Sequence, residues 1–407
     1  MKKLNSYLIF ILATPLLAIP SLASEGWMFE KVENIFNPSH GNGGETVHIP
    51  SFLVTEEDTV IAVCQLRRKS RWDFGNEVDL LISRSLDGGR TWETPKTLYS
   101  EPGINAVNGP ILEDRETGDI ILTFTAVPVG DETQADWVTS MVRSGGQIKT
   151  IRSRDQGKTW TAIETTKPIS ERNQIAWPSN GSHGIQLSSG RLVVGAFVAK
   201  TEAEQKSYLE CEYAAGMMYS DDHGETWKIG ATVPYNGTDE NVCVETVNGE
   251  IYYNFRLNNR TPKDLVRGYA YSRDGGESFY EVGLQDNMSR VNCHVGLARF
   301  STIHKGGRNI LLYSGPFGYT GAEMEGPNDR SRLTVRASFD EGRTWPIAQE
   351  IEKGYGGYSD LVVTKDGTIL CIYGVHTFNP EKSRMDVIRL SWDAMENVYR
   401  AHVEKLN

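Results

Sequence analysis

The chain has 407 residues, with 53 Asp and Glu against 42 Lys and Arg and a formal net charge of −11 at pH 7. Acidic charge dispersed along the sequence argues against nucleic acid as a partner. Forty glycines with 10% aromatic residues fit a turn-rich all-β chain better than a helical one.

In chain order, the first segment is MKKLNSYLIFILATPLLAIPSLAS. Two lysines precede an apolar run from Tyr7 to about Pro20, and Ser21 and Ala23 occupy the −3 and −1 positions of a cleavage site. This pattern predicts a signal peptide over residues 1–23, too short and wrongly flanked for a stable membrane span. The expected product is soluble and either secreted or periplasmic. Residues 43–54, GGETVHIPSFLV, then read as a strand with a histidine, His48, just ahead of Ile49-Pro50.

From Ser85 onward one motif recurs five times: SLDGGRTW, SRDQGKTW, SDDHGETW, SRDGGESF and SFDEGRTW. Its aspartates are Asp87, Asp155, Asp222, Asp274 and Asp340, spaced by 68, 67, 52 and 66 residues. Self-similarity at such a period signals a repeat architecture. Asp and Gly suit a tight hairpin turn, the Trp anchors it on its own sheet, and flanking runs such as VDLLISRS read as strands. About four strands per repeat make one propeller blade. Five boxes plus box-free terminal strands predict a six-bladed β-propeller of four-stranded antiparallel blades, closed by the two ends of residues 24–407 as a single domain. The box residues are expected to be folding devices, with too few acidic ligands per turn for Ca²⁺. Five cysteines, Cys64, Cys211, Cys243, Cys293 and Cys371, form no CxxC pair. Four lie in or beside apolar runs, which predicts buried thiols and no zinc site or disulfide framework.

Five such boxes in an exported chain resemble the sialidase (neuraminidase) superfamily. HIPSFLVTEEDTVIAVCQLRR is similar to that family's opening stretch, and NGPILEDRETGDIILTF and GSHGIQLSSGRLVVGAF to the segments that follow. ENVCVETVNGEIYYNFR, DRSRLTVRASFDEGRTW and GYSDLVVTKDGTILCIY resemble its glutamate, last-arginine and tyrosine segments. The resemblance implies a retaining glycosidase that acts on a glycan, uses a tyrosine nucleophile and needs no metal or organic cofactor. A neutral phenol suits an anomeric carbon that carries a carboxylate, because an anionic nucleophile would be repelled. Residue by residue, Tyr358 matches the nucleophile and Glu240 its activating base, with Glu245 as the rival. Asp73 matches the acid/base, with Asp79 nearby. Arg256 and Arg330 match two of three substrate-binding arginines, and Arg67 is expected to line the same pocket. Strand alternation puts Arg332 on the same side as Arg330, so spacing does not separate the two.

The third arginine of that set is expected where His48 stands, and the two acidic residues that support it in the family are Gln65 and Gly374 here. Losing one cation together with two buried anions keeps the pocket's charge balanced. His48 is left as a substrate-binding candidate whose donor capacity depends on its protonation. Three functions compete: a sialidase acting on sialic acid or a related acidic sugar, a sialidase-like hydrolase for another glycoside, and a non-catalytic glycan-binding propeller.

Overall fold

The structure, a computed structural model, describes residues 29–130, 146–161, 164–171, 174–200, 213–257, 267–285, 288, 291–318 and 330–404. The expected signal peptide and Cys211 lie outside these residues. Among them the chain is strand after strand, with one α-helix, Trp392–Glu404.

The inner strands are short apolar runs bounded by turn residues, such as VIAVCQLR at Val60–Arg67 and VDLLISRS at Val78–Ser85, buried along their whole length. Burial on both faces follows from sheets stacking against one another, so the core is a series of layers between sheets. One layer packs Leu312, Leu333 and Val335 against Leu361, Cys371 and Tyr373. The next packs Leu370, Ile372 and Val387 against Val47, Phe52 and Ala62. Innermost strands of different sheets, among them Thr46–Val54, Thr238–Glu245, Gly296–Ser301 and Gly357–Val363, then abut round a common axis, as a propeller requires. Phe29–Phe36 pairs antiparallel with Arg384–Leu390, so the two ends of the described chain share one sheet, which closes the ring as expected.

The strands do not separate into six four-stranded sheets. Among the described residues they form five, of four, nine, six, four and four strands. The nine-stranded sheet arises because Val78 makes a single parallel pairing with Asn105, which joins strands that otherwise belong to two hairpin sets.

The repeated boxes are turns, as their composition predicts. In each, the serine hydroxyl donates to the aspartate at 2.8 Å and accepts from the backbone N–H of the box glycine. That glycine has φ between 76° and 93° in all five, a region a side chain would disfavour. Hydrogen bonds from the Thr159 side chain and backbone hold Asp155 at about 2. Cys64, Cys243, Cys293 and Cys371 are buried free thiols.

At the axis lies a buried pair that the sequence did not announce. Both oxygens of Asp360 contact His183 Nδ1, at 3.0 and 3.2 Å, and the carboxylate also accepts the Phe52 and Leu361 backbone N–H groups at 3.0 and 2.9 Å. It thereby ties three separate chain segments together beneath the face where the candidate residues gather.

Candidate active site

The residues singled out in the sequence converge through irregularities in the inner strands. The pairing register shifts between His48 and Ser51, between Thr238 and Asn241 around Glu240, between Ser331 and Leu333 beside Arg330, and between Gly357 and Ser359 around Tyr358. Bulges break the two-residue alternation and re-aim side chains. Ile49 and Arg332 take left-handed φ values of 50° and 58°, a strained conformation for a β-branched residue in particular.

Tyr358 and Glu240 are both buried and meet on one guanidinium. Arg256 Nη1 donates to Glu240 Oε2 at 2.7 Å and to the Tyr358 hydroxyl at 3.3 Å, with Asp239 at 3.9 Å. Burial pushes the Tyr358 phenol well above its usual range, and the Glu240 carboxylate adds to this; Arg256 and Arg330 only partly offset it. The resting tyrosine is therefore a neutral phenol.

Arg330 sits over Tyr358, with its guanidinium carbon 4.7 Å from that ring centre and 5.0 Å from the ring centre of Phe378. Its Nη2 donates to the Asn292 carbonyl at 3.0 Å, while Nε and Nη1 are buried and have no hydrogen-bond partner among the described residues. Arg332 points elsewhere, to Glu350 at 2.8 Å and the Phe317 ring. The bulge overturns the expectation that the two arginines face one side. Glu245 likewise leaves the cluster and holds the Ser188 N–H and hydroxyl. Asp79 is a buried ion-pair partner of Arg68 at 2.7 Å.

Asp73 is the one member open to solvent, its side chain 46% exposed and 3.6 Å from Arg67 Nη2. Its loop is held from below by buried Asn76, which donates to the Ser70 and Trp72 carbonyls at 2.9 and 2.8 Å, and by Asn105, which donates to the Asp73 carbonyl.

His48 is buried at the same end. The Thr377 backbone lies beside its ring, which meets Phe378 edge-on at 5.1 Å. Burial drives its pKa well below the usual value, and Arg67 and Arg330 push the same way, so the imidazole is neutral. Gly374 is explained by the same segment, because an added Cβ there would meet Thr377 Cγ2 at 2.5 Å. Thr377 and Phe378 occupy space beside His48, and sequence reasoning missed both. GVHTFNP carries no periodicity, and neither residue type marks a binding role by itself. Asp239, beside Glu240 in TDEN, was missed as well.

The ordered inner strands, the serine–aspartate turns and an axial cluster of tyrosine, carboxylates and arginines define a β-propeller with a polar site at one end of its axis. The model of the BNR repeat-like domain matches residues 66–371. The chain belongs to that family and, with it, to the sialidase superfamily. It is 28% identical over 349 residues to a sialidase of Micromonospora viridifaciens, covering 81% of this chain and 50% of that protein. It is 28% identical over 347 residues to a sialidase of Bacteroides fragilis, covering 80% of this chain and 59% of the relative. The chain thus spans little more than half the length of these two relatives. A solved Hadza microbial sialidase shares the fold, with a TM-score of 0.71 at 23% identity over 86% of this chain and 67% of that one. Among the described residues no helix is long and apolar enough to cross a membrane.

Proposed function

We propose that the chain is an exported retaining exo-glycosidase of sialidase type, which removes a terminal sialic acid or related acidic sugar from a glycoconjugate. The observation that carries this reading is the buried cluster in which Tyr358 and Glu240 share Arg256 while Arg330 keeps donors free beside them. In this reading residues 1–23 are the cleaved leader and residues 24–407 form one propeller domain. It has six blades, the nine-stranded sheet counting as two joined at Val78 and Asn105.

Arg330 offers Nε and Nη1, two buried donors without partners among the described residues, to a carboxylate. The neutral Tyr358 hydroxyl attacks the anomeric carbon without repelling that carboxylate, and its proton passes to Glu240 as the glycosidic C–O bond breaks. Asp73, exposed at the rim, protonates the leaving oxygen. The same carboxylate then deprotonates the water that displaces the tyrosine oxygen, which takes its proton back from Glu240, so two inversions give net retention.

A second reading, a hydrolase for a different glycoside, draws support from neutral His48 in place of a third cation. Purified protein is tested on an aryl α-sialoside and a panel of other aryl glycosides from pH 4 to 8, with the first-formed anomer followed by NMR. The expected result is sialoside cleavage with retention, reduced at least 10³-fold by Tyr358→Phe. Turnover of another glycoside alone would sink the first reading, and binding without turnover of any substrate would favour a glycan-binding propeller.

A further inference from the structure

The hairpin of Thr46–Val54 and Val60–Arg67 pairs Thr46 with Arg67 and His48 with Gln65. Their neighbours Val47, Leu66 and Cys64 face an apolar layer, so these four side chains share the opposite face. All four are 0–3% exposed. Each also has a buried polar atom with no hydrogen-bond partner among the described residues: Thr46 Oγ1, His48 Nε2, Gln65 Oε1 and Arg67 Nε. An unpartnered buried polar atom is costly, and four adjacent ones on a single two-by-two patch are not what packing alone would leave.

The chemistry of the patch follows from these four atoms. Gln65 Oε1 is an acceptor, Arg67 Nε is a donor, the Thr46 hydroxyl can serve as either, and a neutral imidazole nitrogen donates in one tautomer and accepts in the other. An acceptor set beside a donor does not suit a carboxylate, which can only accept. The combination suits hydroxyl groups, which donate and accept together.

We propose that Thr46, His48, Gln65 and Arg67 form a hydroxyl-reading subsite beside the anion-gripping Arg330, making His48 and Gln65 specificity-determining residues for a polyhydroxylated acidic sugar. This deepens the functional reading above and rests on it. Substrate is held by division of labour: Arg330 takes the charge, and the patch takes hydroxyls that only a sugar brings.

The test uses the full chain and two probes, an aryl N-acetylneuraminide and tetrahydropyran-2-carboxylate, a ring carboxylate with no hydroxyls, as competitor. His48→Phe keeps a ring against Phe378 but removes the unpartnered nitrogen, and Gln65→Leu removes the amide at similar volume. Each is expected to raise KM for the sialoside at least tenfold while the competitor's Ki stays within twofold. Because Gln65→Leu deletes an unpartnered buried polar atom, it should not lower the melting temperature of the free protein, and it guards against a fold defect specific to His48→Phe, which also removes the ring nitrogen facing the Thr377 backbone. A fall in affinity for both probes, an unchanged sialoside KM, or a lower melting temperature in both variants overturns the subsite. Wild-type protein that neither cleaves the sialoside nor binds the competitor overturns the functional reading along with it. A wild type that cleaves, with variants that do not discriminate, overturns the subsite alone.

Discussion

Replacing Asp360 by alanine probes whether the axis of the propeller supports the site. The carboxylate is fully buried, faces His183 at 3.0 Å and accepts two backbone N–H groups, from Phe52 and Leu361. Removing it strands a buried imidazole and the Phe52 donor, for which breaking a buried pair costs about 3–5 kcal/mol. At about 2.1 cal/mol/K per residue, a chain of 407 residues has an unfolding entropy of about 0.9 kcal/mol/K, so the melting temperature should fall by about 4–6 °C. The assay is thermal unfolding of wild type, Asp360→Ala, His183→Ala and the double variant. The double variant should lose less than the sum of the singles, because once one partner is gone the other has no pair left to break. A melting temperature for Asp360→Ala within 1 °C of wild type, or strictly additive losses, would refute the argument. Tyr358 lies two residues before Asp360 on the same strand, Gly357–Val363, so residual activity at low temperature should fall in parallel.

Two buried histidines should shape stability against pH in opposite directions. The pKa of His183 is raised: burial opposes its charge, but Asp360 more than offsets burial. Its contribution is complete below 6.5 and is lost as pH rises through the higher folded value. His48 is lowered, so its contribution is present above 6.5 and lost as pH falls toward the lower folded value. Chemical denaturation from pH 4 to 9 should find the alkaline slope reduced in His183→Gln and the acid slope reduced in His48→Phe; the reverse pattern contradicts both assignments. Asp73→Asn should slow hydrolysis of a methyl sialoside by about 10²–10⁴-fold but that of a nitrophenyl sialoside far less, since the better leaving group needs little protonation. Equal losses on both substrates would exclude Asp73 as the acid.

The repeat boxes were legible because their function is local. Ser153, Asp155 and Gly157 bond one another within a few residues, so composition and spacing were enough to identify the turn. Blade separation was less legible, since the Val78–Asn105 pairing depends on how two hairpins lie side by side and not on either alone. The order of candidate residues along the chain could be followed because each sits on an inner strand with a recognisable motif. Their orientation could not, since bulges at His48, Glu240, Arg330 and Tyr358 break the alternation by which a side chain's face is read from sequence. Arg330 and Arg332 make the point: identical by spacing, they are divided by one left-handed residue, and only Arg330 reaches Tyr358.

By itself the sequence determined the strand-and-turn repeat, its family resemblance, and the absence of a third arginine together with its two acidic supports. What replaced them was decided only in three dimensions. Thr377 fills the space over Gly374, and burial, helped by Arg67 on the paired strand and by Arg330 from far along the chain, keeps the His48 imidazole neutral. A histidine's protonation state and free nitrogen depend on burial and nearby charge, and both are set by residues far away in the chain.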